Sequence, residues 1–349
     1  LRLFRACLGW MPGGTAVVAA VSCAFFTVLT GGSGVTILAL GGLLFQALRS
    51  DHYRERFSLG LLTASGSLGL LFPPALPLIL YGIVAGVAIP DLFVGGLVPG
   101  LLLLALVAAW GVREGLRTPA SRRPFELREL VSAVWQAKWE LLLPPVVLVA
   151  IFGGFATLVE AAALTALYTF VVQCLIVRDV SITRDLLRVL TECLVLIGGV
   201  LIILAVALGF TNYLVDAQVP MKIVEGVQTY IESPLTFLLC LNLLLLLVGC
   251  LMDIFSAIVV VVPLIVPLGV AYGIDPVHLG IIFVANLELG YLTPPVGLNL
   301  FLAAYRFERP VLQIWRAAIP MLIILAIGVL LITYVPSLTL GIFDLVGRN

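Results

Sequence analysis

Two similar stretches, LGLLFPP at residues 68–74 and LGYLTPP at residues 289–295, decide the fold of this chain. Each one interrupts a long apolar run with a glycine and a pair of prolines. Proline has no backbone N–H to donate and its ring obstructs the preceding turn, so each run is predicted to be a helix that breaks within its length. Gly69 and Gly290 hold the same position in the two copies, which indicates an internal repeat.

The composition places these broken helices in a membrane. Of the 349 residues, 62% are hydrophobic and 11% are charged, which is too little polar surface to cover a water-soluble globule. About 20 apolar residues cross a hydrocarbon core of roughly 30 Å as a helix, and unalternating runs such as LLLLALVAAW at residues 101–110 exclude a β-barrel. The sequence therefore predicts an all-α polytopic membrane protein in contact with the lipid bilayer.

Charge, cysteine spacing and motifs exclude several classes of function. The 19 basic and 19 acidic residues form no basic stripe, so no nucleic-acid partner is predicted. The six cysteines lack the paired spacing of a disulfide framework or a metal site. The sequence has no HExxH, GxSxG or P-loop motif, so we expect a transporter rather than an enzyme, with no cofactor besides a coupling ion.

The distribution of lysine and arginine gives one consistent topology. All but two of the 19 basic residues fall on the same side of the predicted spans, which is the cytoplasm by the positive-inside rule. This topology makes residues 15–48 and 234–270 two re-entrant hairpins that enter from opposite sides. The broken helices that follow them cross in opposite directions, so the repeat is inverted. An amphipathic helix near 125–140 is predicted to lie on the membrane surface.

Polar residues cluster where the hairpin tips and the helix breaks are predicted. Ser33 and Thr36 lie at the first tip and Ser65 precedes the first break. The second tip and break are surrounded by Asp253, Ser256, Asn286, Glu288, Thr293 and Asn299. Half-helix N-termini favour anionic groups and unwound carbonyls suit Na⁺, so an ion and substrate site is predicted there. A carboxylate such as Glu288 inside an apolar span is costly without a partner, which indicates a functional role.

Structural roles are an alternative for several of these residues. Prolines in membrane helices are often simple kinks. Ser65 can bond back to its own backbone, and Asp253 can cap the helix after the second tip instead of binding a ligand. His52 and His278 are isolated at segment ends and indicate no metal or catalytic site.

The sequence resembles the large membrane subunit of TRAP transporters, the tripartite ATP-independent periplasmic carriers. The motifs that carry the resemblance are PGG (12–14), TGGSGVT (30–36), GLLFPPALPLILYG (69–82), LVPG (97–100), GIDPVHLGII (273–282), LTPPVGLNLF (292–301) and YVPSL (334–338). Ala75 and TLVE at 157–160 depart from the commoner forms in that family. Members usually have further spans before the equivalent of Pro12, so the resemblance implies that this chain is N-terminally incomplete.

The resemblance implies Na⁺-driven uptake of an organic anion, such as a carboxylate or an acidic sugar, across the bacterial inner membrane. A periplasmic substrate-binding protein would deliver the substrate, and a small four-helix membrane subunit would brace this chain. It also implies an elevator fold, in which a transport domain slides against a scaffold. The transport domain would comprise the inverted repeats 15–89 and 234–305, and the scaffold would comprise 90–233, with the interfacial helix, and the last span at 306–349.

Two sets of site residues are predicted on this basis. Na⁺ is expected to bind, mostly through main-chain oxygens, at Gly31, Gly32, Ser33, Gly34, Ser65, Gly69, Asp253, Ser256, Gly290 and Thr293. Substrate contacts are expected from Thr36, Pro73, Pro74, Glu288, Pro294, Pro295, Gly297 and Asn299. Two alternatives remain open: proton coupling through Glu288 or Asp253, and a membrane scaffold that transports nothing.

Overall fold

A computed structural model describes residues 2–117 and 126–346. These residues form 17 α-helices, a π-helical segment at Val171–Ile176 and no β-strand. The predicted all-α architecture is therefore confirmed for the described part of the chain. Residue 125, where the predicted interfacial helix begins, lies outside that part.

The helices follow one another along the chain with short connections. Those before residue 118 are α1 Arg2–Leu8, α2 Gly14–Thr30, α3 Ser33–Ser50, α4 Glu55–Ser65, α5 Leu76–Ala85 and α6 Ile89–Arg117. The next are α7 Leu127–Gln136, α8 Lys138–Phe152, α9 Leu158–Phe170 and α10 Leu186–Asp216. The last are α11 Val219–Tyr230, α12 Pro234–Leu251, α13 Ile254–Ala271, α14 Pro276–Gly290, α15 Leu298–Phe307, α16 Val311–Tyr334 and α17 Ser337–Val346.

Length and composition make many of these helices candidates for membrane spans. Among the described residues, six helices qualify, and α7 with α8 adds a seventh if that bent pair is one span. The six are Ser33–Ser50, Ile89–Arg117, Val159–Ile176, Pro234–Leu251, Ile254–Ala271 and Val311–Tyr334. This number of apolar helices agrees with the predicted polytopic membrane protein.

Interruptions of the helical chain at residues 31–32 and 66–75 lie where the first tip and the first break are predicted. Gly31 has a φ of 67°, a left-handed conformation that glycine reaches without a steric penalty. Its N–H donates to the Thr27 carbonyl oxygen at 2.8 Å and so ends α2. After α4 ends at Ser65, short turns replace the helix until α5 begins at Leu76, as the proline pair predicts.

The later part of the chain has the same sequence of elements. α12 and α13 are joined by Met252 and Asp253, and residues 291–297 separate α14 from α15. Gly297 precedes α15 with a φ of 57°, again a left-handed conformation. The Pro–Pro peptide bond is cis in both breaks, at 73–74 and at 294–295.

Helix packing joins the early and the late elements. α2 packs on α4 and α12 packs on α14, whereas α3 packs on α15 and α13 packs on α5. α6 contacts α2, α5 and α14, and α16 contacts α4, α14 and α15. One core of buried side chains lies where α3, α4, α15 and α16 meet, and consists of Ile37, Leu59, Leu300, Ala303, Ile314, Ala317 and Ala318.

The chain divides into two compact units. The first comprises Leu1–Leu130 and Gln218–Asn349 and contains both interrupted helices; the second is Val131–Ala217. Within the second unit, Thr157 and Glu160 form a capping box that starts α9. The Tyr168 hydroxyl donates to the Trp139 carbonyl oxygen at 2.9 Å and holds α9 against α8.

α11 has no counterpart among the predicted elements. It is a short amphipathic helix rather than a long apolar run, so hydropathy alone does not reveal it. The Tyr272 hydroxyl donates to the Ile231 carbonyl oxygen at 2.7 Å. This bond holds the end of α11 against α13, so α11 is an ordered part of the first unit.

Candidate functional site

Thr27, near the end of α2, holds the first hairpin against the first break. Its hydroxyl oxygen lies 2.7 Å from the Gly66 carbonyl oxygen and 2.6 Å from Thr36 Oγ1. Thr27 and Thr36 are both fully buried, and buried hydroxyls normally have partners of this kind. The hydroxyl of Thr36, a predicted substrate contact, is therefore already engaged by the protein.

Close packing at two glycines brings the first tip, the first break and α15 together. A Cβ on Gly69 would lie 2.6 Å from the Thr27 side chain and would also strike the Ala24 carbonyl oxygen. A Cβ on Gly34 would meet the side chain of Leu302 in α15. Any larger residue at position 69 would clash with backbone atoms of α2, which cannot rotate away as a side chain can. The glycine of the first LGxLxPP copy is therefore required for packing.

Asp253 caps α13 at the second tip. Its carboxylate accepts the N–H of Phe255 at 3.0 Å, the N–H of Ser256 at 3.1 Å and the Ser256 hydroxyl at 2.5 Å. These bonds satisfy donors that the first turn of a helix leaves unpaired. The capping role that the sequence left open is therefore present, and the side chains of two predicted Na⁺ ligands are bonded to each other.

A hydrogen bond to the Tyr291 side chain and a close contact between two glycines join the second break to the second tip. The Tyr291 hydroxyl oxygen accepts the N–H of Ile254 at 2.7 Å. A Cβ on Gly290 would lie 2.6 Å from the backbone of Gly249, so α14 and α12 touch through two glycines. The Thr293 hydroxyl donates to the Leu289 carbonyl oxygen at 3.1 Å, within its own turn. The second tip and the second break are therefore packed directly against each other.

Several buried polar atoms near the two breaks have no hydrogen-bond partner among the described residues. They are both carboxylate oxygens of Glu288, Oγ of Ser65 and Oδ1 of Asn299. The amide nitrogen of Asn299 is engaged, because it donates to the Thr63 carbonyl oxygen at 3.3 Å. An unpaired buried polar atom costs about 1–3 kcal/mol, so a bound ion or substrate would relieve a cost that the protein alone does not.

The two proline pairs differ in their surroundings. Pro73 is buried, and α6 covers the first break, where Gly96 faces the Leu71 carbonyl oxygen and Gly100 faces the Phe72 ring. Pro294 and Pro295 are exposed. Pro74 is half-buried, so the second of the two predicted substrate-contacting breaks is the more accessible.

The acidic residues of the site are not gathered into a metal centre. Within the residues that the structure describes, no three His, Cys, Asp or Glu side chains lie together as metal ligands. Glu288 shares no hydrogen bond with Asp253. A cation at the breaks would therefore be bound mainly by carbonyl and hydroxyl oxygens, which suit hard cations.

Other buried polar side chains nearby have structural roles. The Asn286 amide donates to Asn242 Oδ1 at 2.6 Å, and the Thr333 hydroxyl donates to the same oxygen at 3.1 Å. This network joins α14, α12 and α16. His278 lies between Thr339 Oγ1, at 3.1 Å, and the Thr333 carbonyl oxygen, at 3.3 Å.

Thr27, Thr63 and Tyr291 contribute to the site but are not among the predicted residues. The two threonines lie in apolar helices, and only the packing of those helices places them at the first break. Tyr291 has a sequence signal, because it replaces the leucine at the third position of the other LGxLxPP copy, Leu70. A polar substitution in an otherwise apolar repeat indicates a specific contact.

Comparison with known proteins supports the resemblance. A family model described as the tripartite ATP-independent periplasmic transporter, DctM component, matches residues 1–338. The chain is 35% identical over 346 residues to the isethionate TRAP transporter permease protein DctMQ of Oleidesulfovibrio alaskensis, covering 97% of this chain and 53% of that protein. It is 35% identical over 347 residues to the C4-dicarboxylate TRAP transporter large permease protein DctM of Pseudomonas aeruginosa, covering 99% and 81%.

A third relative is the ectoine TRAP transporter large permease protein TeaC of Halomonas elongata. It is 30% identical over 349 residues, which cover 100% of this chain and 82% of that protein. The chain thus spans about half the length of the isethionate permease protein and about four fifths of the other two. The family match includes both LGxLxPP copies and both hairpin tips. The chain therefore belongs to the DctM component family of TRAP transporters, as a permease protein of the bacterial inner membrane and not an enzyme.

Proposed function

We propose that this chain carries an organic anion into the bacterial cell by alternating access, coupled to Na⁺. The observation that carries the proposal is the set of unpaired, fully buried polar groups at the two helix breaks, on Glu288, Ser65 and Asn299. Polar groups inside a membrane protein are costly unless a ligand or partner compensates them. Broken helices are the usual place for such ligands in secondary transporters.

The accessible second break is the proposed substrate site. α15 begins at Leu298, three residues after the exposed Pro295. A helix N-terminus presents unpaired N–H groups and the positive end of the helix dipole, which favour a carboxylate. The relatives are named for isethionate, C4-dicarboxylates and ectoine, and their similar identities favour no one of these substrates. We therefore propose only the class of substrate, an organic anion such as a carboxylate or an acidic sugar.

The first break is the proposed Na⁺ site. Ser65 Oγ and Asn299 Oδ1 are unpaired acceptors, and Asn299 is placed by its bond to the Thr63 carbonyl oxygen. Main-chain carbonyls of the first tip and of Gly69 would complete the ligand set. The predicted ligands at Asp253, Ser256, Gly290 and Thr293 would belong to a second ion, bound through main-chain oxygens since the Asp253 carboxylate is already engaged.

We further propose that the two sets of elements are inverted repeats of an elevator-type transport domain. Two relationships support this. Gly69 packs against α2 as Gly290 packs against α12, and α3 packs on α15 as α13 packs on α5. The transport domain would comprise 15–89 and 234–305, moving against 90–233 and 306–349. Family membership further supports a periplasmic binding protein and a small membrane subunit as partners.

Substrate-dependent uptake of radioactive Na⁺ into proteoliposomes tests the coupling. The liposomes would hold the permease with its small subunit, and the binding protein would be added outside. Ser65→Ala is expected to raise the Na⁺ concentration needed for half-maximal uptake. Ser67→Ala is the matched control, because Ser67 Oγ already donates to the Ala64 carbonyl oxygen at 3.3 Å. Equal substrate accumulation with and without a Na⁺ gradient would refute the proposal.

Proton coupling is the second candidate, and one observation favours Glu288 over Asp253 as its carrier. Both Glu288 oxygens are unpaired, whereas the Asp253 carboxylate has three donors. If Glu288 carries the proton, Glu288→Gln abolishes the pH dependence of uptake. If uptake keeps its pH dependence and its Na⁺ dependence in that variant, Glu288 has no such role. A scaffold that transports nothing would show no substrate uptake with any of these proteins.

The elevator motion has its own test at an ion pair. Arg309 Nε lies 2.9 Å from Glu55 Oε1 and joins the proposed scaffold segment 306–349 to the proposed transport segment 15–89. Cysteines at these two positions, in a variant whose exposed Cys193 and Cys240 are replaced by serine, would be joined by a short thiol cross-linker. Arrested uptake after cross-linking supports relative motion of the two segments. Full uptake would show that α16 moves together with α4.

A further inference from the structure

A cavity of about 570 Å³ lies between the first turns of α4 and α16, and no residue of either tip or either break lines it. Its lining residues are Glu55, Arg56, Leu59, Pro310, Leu312, Gln313, Arg316 and Ala317. The volume is that of a small-molecule site. By the predicted topology, the cavity opens at the cytoplasmic surface of the membrane.

The charge that remains available in the cavity is positive. The only carboxylate among the lining residues, Glu55, is paired with Arg309 at 2.9 Å. Nη2 and Nε of Arg56 donate to the Arg316 carbonyl oxygen at 2.9 and 3.3 Å, which positions that guanidinium and leaves Nη1 available. The Arg316 guanidinium makes no hydrogen bond or ion pair within the described residues. Two arginines therefore present unused donors to the cavity.

The main chain adds to this preference for an anion. α4 and α16 both begin beside the cavity, and neither has a side-chain cap. The amide of Gln313 is exposed on the rim. The remaining wall is apolar, formed by Leu59, Leu312 and Ala317. A charged rim beside an apolar wall at a membrane surface matches an amphipathic anion.

We propose that this cavity binds a phosphate-bearing anion between Arg56 and Arg316. Bidentate guanidinium contacts are well suited to phosphate oxygens. Two sources share this chemistry, the headgroup of an anionic phospholipid and free phosphate. The apolar wall and the position at the cytoplasmic surface favour the phospholipid, since basic pockets between membrane helices on this side hold anionic headgroups.

Thermal unfolding of the purified chain in detergent micelles tests the proposal. Short-chain phosphatidylglycerol is expected to raise the midpoint of unfolding in a saturable way, and short-chain phosphatidylcholine is expected to have a much smaller effect. Arg316→Gln is expected to weaken the apparent affinity for phosphatidylglycerol about five-fold or more, the effect of one lost arginine contact. Arg316 is the position to change because its side chain is exposed and makes no hydrogen bond or ion pair within the described residues.

Arg184→Gln is the matched control, since Arg184 is exposed and lies on the same predicted side of the membrane. It is expected to leave the affinity unchanged. Inorganic phosphate that reproduces the full stabilisation, and loses it in Arg316→Gln, would identify free phosphate as the ligand of the same site. Equal stabilisation by the two lipids, or an equal response of the Arg316→Gln and Arg184→Gln variants, would overturn the proposal.

Discussion

Gly297 donates its main-chain N–H to the carbonyl oxygen of Cys250, 3.0 Å away. Cys250 lies in the last turn of α12, where carbonyl oxygens have no helical donor. Gly297 directly precedes α15 and has a left-handed conformation. This bond therefore joins the end of α12 to the start of α15. A substitution that displaces one of these helix ends is expected to displace the other.

Gly290→Ala is expected to destabilise the protein by about 1–3 kcal/mol, because overpacking forces backbone apart. The added Cβ would lie 2.6 Å from the backbone of Gly249. Thermal unfolding in detergent measures the loss, and Na⁺-dependent uptake is expected to fall with it. Gly226→Ala is the control, since nothing lies within 4 Å of a Cβ there. Equal unfolding midpoints for the two variants would show that the contact between α12 and α14 is not tight.

Thr27→Val is expected to cost about 1–3 kcal/mol, because it leaves the buried Gly66 carbonyl oxygen without this donor and takes away one of the two partners of the Thr36 hydroxyl. Thr27→Val is also expected to weaken the affinity for Na⁺. Thr27→Ser keeps the hydroxyl and is expected to have a stability and a Na⁺ affinity close to those of the parent protein. Thr30→Val serves as the control, because Thr30 is exposed and bonds to its own helix at Phe26, 3.0 Å away. A Thr27→Val protein that unfolds and transports like the Thr30→Val protein would contradict a role for this contact.

Asp253→Asn is expected to retain Na⁺-dependent uptake, because an asparagine oxygen also caps a helix. Asp253→Ala is expected to lose about 0.5–2 kcal/mol of stability with the cap. Asp275→Ala provides the comparison, since Asp275 caps α14 through the N–H of Val277 at 2.7 Å. Loss of Na⁺ dependence in Asp253→Asn alone would make the Asp253 charge part of the ion site.

Tyr53 gives a prediction for alkaline pH. It lies between α3 and α4, where burial, with a smaller effect of the Asp51 carboxylate, raises its pKa to about 12. An unfolded tyrosine has a pKa of about 10. The stability contributed by the neutral phenol is therefore complete below about pH 10 and is lost as the pH rises towards 12.

Tyr53→Phe is expected to reduce that alkaline loss, as measured by thermal unfolding between about pH 8 and pH 11, a range that spans the unfolded pKa. Tyr305→Phe, at a position where 79% of the residue is exposed, is expected to behave like the parent protein. An identical decline of stability with pH in both variants would show that the buried phenol does not contribute.

The positions of both breaks and both tips follow from the sequence alone. Proline removes a donor and glycine permits a left-handed turn wherever they stand, because these are covalent properties of single residues. α4 ends at Ser65 and α14 ends at Gly290, each before the proline pair of its LGxLxPP copy, and Gly31 makes the left-handed turn at the first tip. α11 is not predicted from the sequence in this way, because its helix is short and amphipathic and contains no long apolar run.

Only the tertiary structure decides which polar groups at these positions are already satisfied. Thr36 and Asp253 have protein partners, whereas Glu288, Ser65 and Asn299 keep unpaired atoms. The Asp253 partners lie in its own helical turn, but Thr36 meets Thr27, and the Asn299 amide meets Thr63, only because separate helices pack together. The sequence thus determines where the helices break, by local backbone chemistry, and packing between helices determines which atoms at the breaks remain available to a ligand.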